Sequence, residues 1–259
     1  MITAGGTTEQ IDQVRGITNQ STGSLGRAIA EAFLRRGEVR KIYYICGKSA
    51  VLPQELERVE ILRILNVEDL KNEVTRLLLE QRLDGVVHCM AVSDYAVFSV
   101  TSTAIVEEQM RRRLKELCPS EPDYEQKASA AAGACLLHQN DLAKSGKISS
   151  DMDDLVVVMK RTPKIIGLFQ QLQPEAVLVG FKLLNRVPAE TLRKAGFDLM
   201  RKNSCDFVFA NDLAEVSPED HKGYFLCRDL SWERVSGREN IADLIASQVL
   251  MEAKKRGGE

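Results

Sequence analysis

Long apolar runs are missing from this 259-residue sequence. The best candidates, Leu155 to Met159 and Ala176 to Phe181, are strand-sized and far short of the ~20 residues that cross a bilayer, so no membrane partner is expected. An excess of positive charge is missing too. Thirty-five basic against thirty-seven acidic residues leave a formal net charge of −2, without the bulk field that dominates nucleic-acid affinity. The start has no basic region followed by an apolar stretch, which predicts no secretory signal and a cytoplasmic location. Cys46, Cys89, Cys118, Cys135, Cys205 and Cys227 contain no CxxC pair, and His138 and His221 keep no ligand spacing to any of them. His88 adjoins Cys89, but strand neighbours point to opposite faces. Reduced thiols are expected, and a structural zinc site is not. Internal repeats and low-complexity segments are also lacking. What remains is a globular composition, 44% hydrophobic and 28% charged, with ample material for a core.

Periodicity places helices and strands in alternation. Leu25, Ile29, Ala32 and Phe33 recur at helical spacing and predict a helix over 24–36. Strands are predicted at 41–46 and 59–65, then a helix through about residue 81 opened by Asn66 with Asp69 three positions on. Residues 85–92 form a buried strand, 102–117 a helix, 155–159 a strand, and Thr162 with Pro163 opens another helix. A strand at 176–184, a helix at 188–203, a strand at 206–210 and a hairpin pairing 224–227 with 232–235 follow. Ser236 and Glu239 form a capping-box pattern for a last helix, 238–254. Such alternation argues for a mainly parallel sheet with helices on both faces, and the length fits one α/β domain over 1–259. The exception is 118–150, where no strand is evident. Ala128 to Leu137 fits a plain helix, and the segment around 140–150 is read as a flexible flap.

The chemistry concentrates at the opening. Thr3-Ala4-Gly5-Gly6-Thr7 is followed by Asp12-x-Val14-Arg15 and by Asn19-Gln20-Ser21-Thr22-Gly23-Ser24-Leu25-Gly26, which enters the first helix. Glycines let backbone approach a ligand, and hydroxyls with free amides at a helix N-terminus suit an anion. Taken singly, each of these features is an ordinary turn or cap. A nicotinamide-dependent reductase must be weighed against this pattern. Gly23-x-x-Gly26 lacks the preceding glycine of GxGxxG, and the second strand ends in Cys46-Gly47-Lys48 where an acidic ribose ligand belongs. The Tyr44-x-x-x-Lys48 spacing lies across a strand end, where the two side chains need not share a face.

These residues also carry a resemblance. Ile2 to Thr7, Asp12, Val14-Arg15, Ile17-Thr18-Asn19 and Ser21-x-Gly23-x-x-Gly26 resemble the signature of phosphopantothenoylcysteine synthetase, the phosphopantothenate–cysteine ligase of coenzyme A biosynthesis. Ala91-Val92-Ser93-Asp94-Tyr95 is similar to the family's Ala-Val-x-Asp-Tyr strand end, and Gly146 to Ser150 to its lysine flap. Val179-Gly180-Phe181-Lys182 is similar to its next strand, and Ala210-Asn211-Asp212 to its Ala-Asn-Asp turn. The matches run in family order over nearly the whole chain.

The resemblance implies a Rossmann-like fold and a two-step ligase. The carboxylate of 4′-phosphopantothenate attacks the α-phosphate of CTP and releases pyrophosphate; L-cysteine then displaces CMP from the acyl-cytidylate. Magnesium would accompany the triphosphate, with metal ligands unassigned. Because the strand form Gly180-Phe181-Lys182-Leu183 resembles the eukaryotic one, ATP stands beside CTP as the implied nucleotide. Asn19 matches the residue that holds the acyl-nucleotide and Lys147 the flap cation, so these two are the expected catalytic residues. Gly5, Gly6, Thr7, Ser21, Thr22, Gly23, Asp94, Tyr95, Phe181, Lys182, Asn211 and Asp212 are the expected nucleotide- and substrate-binding residues. Lys182 would need a phosphate or carboxylate partner in its apolar strand; Asp212 reads equally as a turn residue. The resemblance further implies a homodimer, the stand-alone bacterial type and no flavin. A non-catalytic nucleotide-binding regulatory protein remains the alternative outside enzymes.

Overall fold

The computed structural model describes residues 1–55, 57–117, 122–137, 142, 146–217 and 220–257. In chain order its elements are β1 (Ile2–Ala4), β2 (Thr8–Gln10), β3 (Gly16–Thr18), α1 (Ser24–Leu34), β4 (Ile42–Gly47), β5 (Val59–Ile64), α2 (Val67–Glu80), β6 (Gly85–His88), β7 (Tyr95–Thr101) and α3 (Thr103–Lys115). Then come α4 (Tyr124–Leu137), β8 (Val156–Arg161), α5 (Ile166–Leu172), β9 (Val177–Leu184), α6 (Ala189–Asn203), β10 (Phe207–Asp212), β11 (Lys222–Cys227), β12 (Trp232–Ser236) and α7 (Arg238–Gly257). Two compact units result: residues 1–7, 19–92 and 164–259, and residues 8–18 with 93–163.

The first unit is built on an eight-stranded sheet of order β12-β11-β10-β9-β6-β1-β4-β5. The pairs from β5 to β10 are parallel, and the β11–β12 hairpin closes the edge antiparallel. This is the expected Rossmann-like α/β fold. Helices cover both faces because their apolar stripes leave no alternative. On α2, Leu70, Val74 and Leu77 recur at i, i+4, i+7 and pack with Leu178 and Val208; on α7, Ile241, Ile245 and Val249 do the same with Val177 and Phe209 opposite. The Asn66 side chain accepts from the Asp69 amide, and Asp69 answers at the Asn66 backbone, so the capping box opening α2 is realised. Successive strands step outward from β1 to β4 and β5 on one side, and from β6 to β9 and β10 on the other. The chain direction therefore reverses beside β1, where open α/β sheets bind ligands at the strands' carboxyl ends.

The second unit holds the hairpin β2–β3, the antiparallel pair β7–β8, and helices α3 and α4. Several expectations change here. The strand expected over 85–92 stops at His88, and a separate strand begins at Tyr95, whose residues pair from Tyr95↔Arg161 onward. Thr162 opens no helix: its hydroxyl donates to Ser93 O at 2.6 Å and its amide to Asp94 O at 3.0 Å, and α5 begins only at Ile166. The polar pair is spent closing the end of β7–β8, which leaves nothing to cap a helix. Residues 124–137 are helical, extending the plain-helix reading of 128–137. Cys118, His138 and part of the expected flap, residues 140, 141 and 143–145, lie outside the described residues.

Candidate functional site

At the carboxyl end of β1, contacts are made by backbone. The Gly5 carbonyl accepts from Ala91 N at 2.8 Å, Thr7 N donates to Ala91 O at 3.2 Å, and Asn19 N donates to Thr7 O at 3.3 Å. The Asn19 side-chain Nδ2 reaches the same Ala91 carbonyl at 3.3 Å. Side chains would not fit. A Cβ on Gly6 would lie 2.3 Å from Asn19 O, and one on Gly47, which ends β4, 2.2 Å from Gly6 O. Gly5 and Gly23 have φ of 77° and 73°, the left-handed region that glycine alone enters at no steric cost. Gly26 packs the first turn of α1 against Ala4, where a Cβ would meet Ala4 Cβ at 2.5 Å.

Gly23 is the N-cap of α1, and no side chain caps that helix. Thr22 is exposed, its Oγ1 accepting from Ser24 N at 3.3 Å and donating to Ser24 Oγ at 3.1 Å, while Ser21 is half-buried beside it. The predicted set Gly5, Gly6, Thr7, Asn19, Ser21, Thr22 and Gly23 is thus brought to one place, a glycine turn facing a helix N-terminus. Backbone donors and the partial positive end of the helix macrodipole suit an anion there.

Phe181, Lys182, Asn211 and Asp212 lie on the same edge of the sheet, at the carboxyl ends of β9 and β10. Lys182 is half-buried and not enclosed, and among the described residues no carboxylate pairs with it. Phe181 leans on Phe209, with ring centroids 5.8 Å apart. Asn211 Nδ2 and His221 Nε2 are 3.2 Å apart in a buried pair. Asp212 takes the turn role: its carboxylate accepts from the amides of Arg186, Val187 and Ala214, each at 2.9 Å. The Val187 amide, with those of Arg186 and Ala214, holds this carboxyl below the usual aspartate range.

In the second unit Asp94 and Tyr95 are exposed at the start of β7, and Lys147 is exposed between Gly146 and the buried Ile148. Two backbone amides tie the segment to the β2–β3 turn at this point. Ile148 N donates to Asp12 Oδ2 at 3.1 Å, and Gln13 N to Gly146 O at 3.1 Å.

Two supports escaped the sequence. Arg63 at the end of β5 points Nη1 at the carbonyls of Gly47, Lys48 and Ala50, at 2.7, 3.0 and 3.1 Å, and so fixes the loop that packs on Gly5 and Gly23. Its signal is register: Arg63 pairs with Cys46, one residue before that loop. Beneath the turn, Thr3 Oγ1 and His88 Nδ1 are 2.9 Å apart, and burial lowers the His88 pKa to about 4. Cys89 and Cys205 are thiols pushed by burial to about 12, and the five described cysteines are free. Among the described residues no group of three or more His, Cys, Asp or Glu is placed to hold a metal, and no helix is long and apolar enough to cross a membrane.

Fold and turn together define a Rossmann-like α/β domain with a close-packed glycine turn at the carboxyl end of its first strand. Residues 1–117 match the DNA/pantothenate metabolism flavoprotein C-terminal domain family. A solved DNA/pantothenate metabolism flavoprotein from Streptococcus pneumoniae is 32% identical, with a TM-score of 0.76, over 96% of this chain and 97% of that one. The chain belongs to this family, the one its motifs resemble. The coenzyme A biosynthesis bifunctional protein CoaBC of Thermococcus kodakarensis is 29% identical over 89% of this chain and 45% of its own length. That of Methanocaldococcus jannaschii is 23% identical over 96% and 49%. The chain spans about half the length of these curated relatives. A Cab2 variant solved in complex with phosphopantothenate-cysteine shares the fold, with a TM-score of 0.66 at 16% identity over 99% of this chain and 86% of that one.

Proposed function

We propose that this chain is a phosphopantothenate–cysteine ligase, with both units belonging to one synthetase domain. The observation that carries the reading is the close-packed turn of Gly5, Gly6 and Gly23 with Asn19 fixed against it. In step one a carboxylate oxygen of 4′-phosphopantothenate bonds to the α-phosphorus of CTP, and pyrophosphate leaves with the electron pair of the broken phosphoanhydride bond. In step two the amine of L-cysteine attacks the acyl carbon, CMP leaves, and the amine's proton is lost to form the amide. No enzyme nucleophile is required, so positioning and charge neutralisation suffice. The raised thiol pKa values of Cys89 and Cys205 accord with this, because a protonated buried thiol is a poor nucleophile.

Backbone amides of the turn and of α1 hold phosphate oxygens in this reading, and the Asn19 amide both donates to and accepts from the acyl-cytidylate. Lys182 supplies a further cation, and Phe181 and Asn211 line the nucleotide. Lys147, Asp94 and Tyr95 are assigned on their match to the family motifs. Magnesium would enter with the triphosphate and neutralise part of its charge. A homodimer is proposed on the resemblance and is checked by the mass in solution.

Pyrophosphate release from CTP and from ATP, with 4′-phosphopantothenate present and absent, tests the reading. Release that requires phosphopantothenate, followed by amide formation on adding cysteine, is expected; the two nucleotides are compared in the same assay. Binding without release would make the chain a regulatory protein, and thermal stabilisation by NADPH instead would make it a reductase. Asn19→Ala should bind CTP yet lose product formation.

A further inference from the structure

Asp12 sits in the turn between β2 and β3, and its side chain has 0% exposure. The two carboxylate oxygens serve different masters. Oδ1 accepts from Val14 N at 2.8 Å and Arg15 N at 2.7 Å, which shapes the turn itself. Oδ2 accepts from Ile148 N at 3.1 Å, across 136 positions of sequence, and meets Arg15 Nη1 at 3.4 Å. The Gln13 amide bonds to Gly146 O at 3.1 Å. Lys147 is therefore bracketed: its neighbours on both sides are tied to consecutive residues of one turn, and Ile148 is buried to 1% exposure, while Lys147 itself is exposed.

We infer that Asp12 is a positioning residue for Lys147, acting through the Ile148 amide. The inference rests on the ligase reading, in which Lys147 neutralises charge as pyrophosphate forms. A lysine on a free loop must lose backbone as well as side-chain entropy when it engages an oxyanion. With residues 146 and 148 already fixed, only the four-carbon stem remains to be ordered, so the ammonium is presented at smaller entropic cost. The amide bonds, led by that from Val14, hold the Asp12 carboxyl below the ordinary aspartate range, which keeps Oδ2 an acceptor at any neutral or mildly acidic pH.

The asymmetry of the carboxylate supplies the test. In Asp12→Asn the remaining Oδ1 still accepts from Val14 and Arg15, while Nδ2 faces the Ile148 amide donor to donor. Trypsin cleavage of the 147–148 bond, whose amide is the tethered group, should accelerate roughly tenfold. In the pyrophosphate assay Asp12→Asn should lower kcat toward the value for Lys147→Gln, with little change in KM for phosphopantothenate, and adding Asp12→Asn to Lys147→Gln should cost nothing more. Additive losses, or a fully active Asp12→Asn, would overturn the positioning role. Should the variant fail to fold, amide exchange on the unaltered chain decides: the Ile148 amide is expected to be protected relative to that of Ser149, and equal exchange removes the tether. A wild-type chain that releases no pyrophosphate overturns the ligase reading, and the role with it, even where exchange shows the tether intact.

Discussion

Two ends of the same sheet, both at strand carboxyl termini, are built on opposite principles. Beside β1 most of the contacts are backbone to backbone, at separations where a Cβ on Gly6 or Gly47 would stand 2.3 or 2.2 Å from a carbonyl oxygen. Beside β10 they are made by side chains whose polar capacity is spent: Asp212 carries three amides, and Asn211 faces His221. The first end brings backbone segments into close approach where glycines leave out the side chains. The second holds its loops in place. Both motifs carry Asn and Asp, so those residue types alone do not separate one kind of turn from the other.

The largest expected effect breaks the first end. Gly6→Ala must push Asn19 away, because the obstructing atom is a backbone oxygen and cannot rotate aside. A loss of about 3 kcal/mol in urea denaturation is expected, with nucleotide binding abolished. Normal CTP affinity in that variant would mean that close approach at the turn is irrelevant to the ligand.

Acid should next probe both ends together, since each rests on a buried neutral histidine: His88 beneath Thr3, and His221 beside Asn211. Burial lowers each pKa from 6.5 to about 4, aided at His221 by nearby Arg238. Between these values the unfolded chain binds protons that the folded chain refuses, so stability is whole above pH 6.5 and drains as pH falls toward 4. For the fully buried His88 the shift corresponds to roughly 3 kcal/mol. Urea midpoints at pH 7.5, 6 and 5 should fall in that order, and His88→Asn should flatten the decline. Parallel curves for variant and wild type would show that His88 does not carry it.

A milder change separates support from ligand contact. Arg63→Met removes the donor shared by three carbonyls of the loop over 47–50 but leaves every glycine in place. KM for the nucleotide should rise roughly tenfold with kcat less affected, and Arg63→Lys should recover part of the loss. An unchanged KM would assign that loop no part in shaping the turn.

Periodicity read the first unit well because its helices must bury one stripe each: α1, α2, α6 and α7 fall within a few residues of expectation. The glycine turn was legible because missing side chains are visible in a sequence. The second unit was harder. Its β7 follows β6 after only six residues, so Val92 and Tyr95 read as one strand end, and the polar pair at Thr162 that mimics a helix start closes a strand pair instead. Asp12 and Ile148 lie 136 positions apart, and no local pattern announces a hydrogen bond between them. Arg63 was missed for the same reason: its role depends on strand register, which a single sequence does not print.

The smallest expected effect closes the comparison from the other side. Gly37 follows α1, has no heavy atom within 4 Å of an added Cβ, and is not among the glycines with positive φ. Alanine there restricts the unfolded chain and meets nothing in the folded one, so Gly37→Ala should leave turnover unchanged and stabilise by up to about 1 kcal/mol. Gly6→Ala makes the same chemical change with the opposite sign. The gap between the two denaturation midpoints therefore measures the missing Cβ at the turn, free of the entropy term that both substitutions share. A destabilised Gly37→Ala would show that glycine is needed here for backbone freedom in general, and the argument from close approach at Gly6 would lose its control.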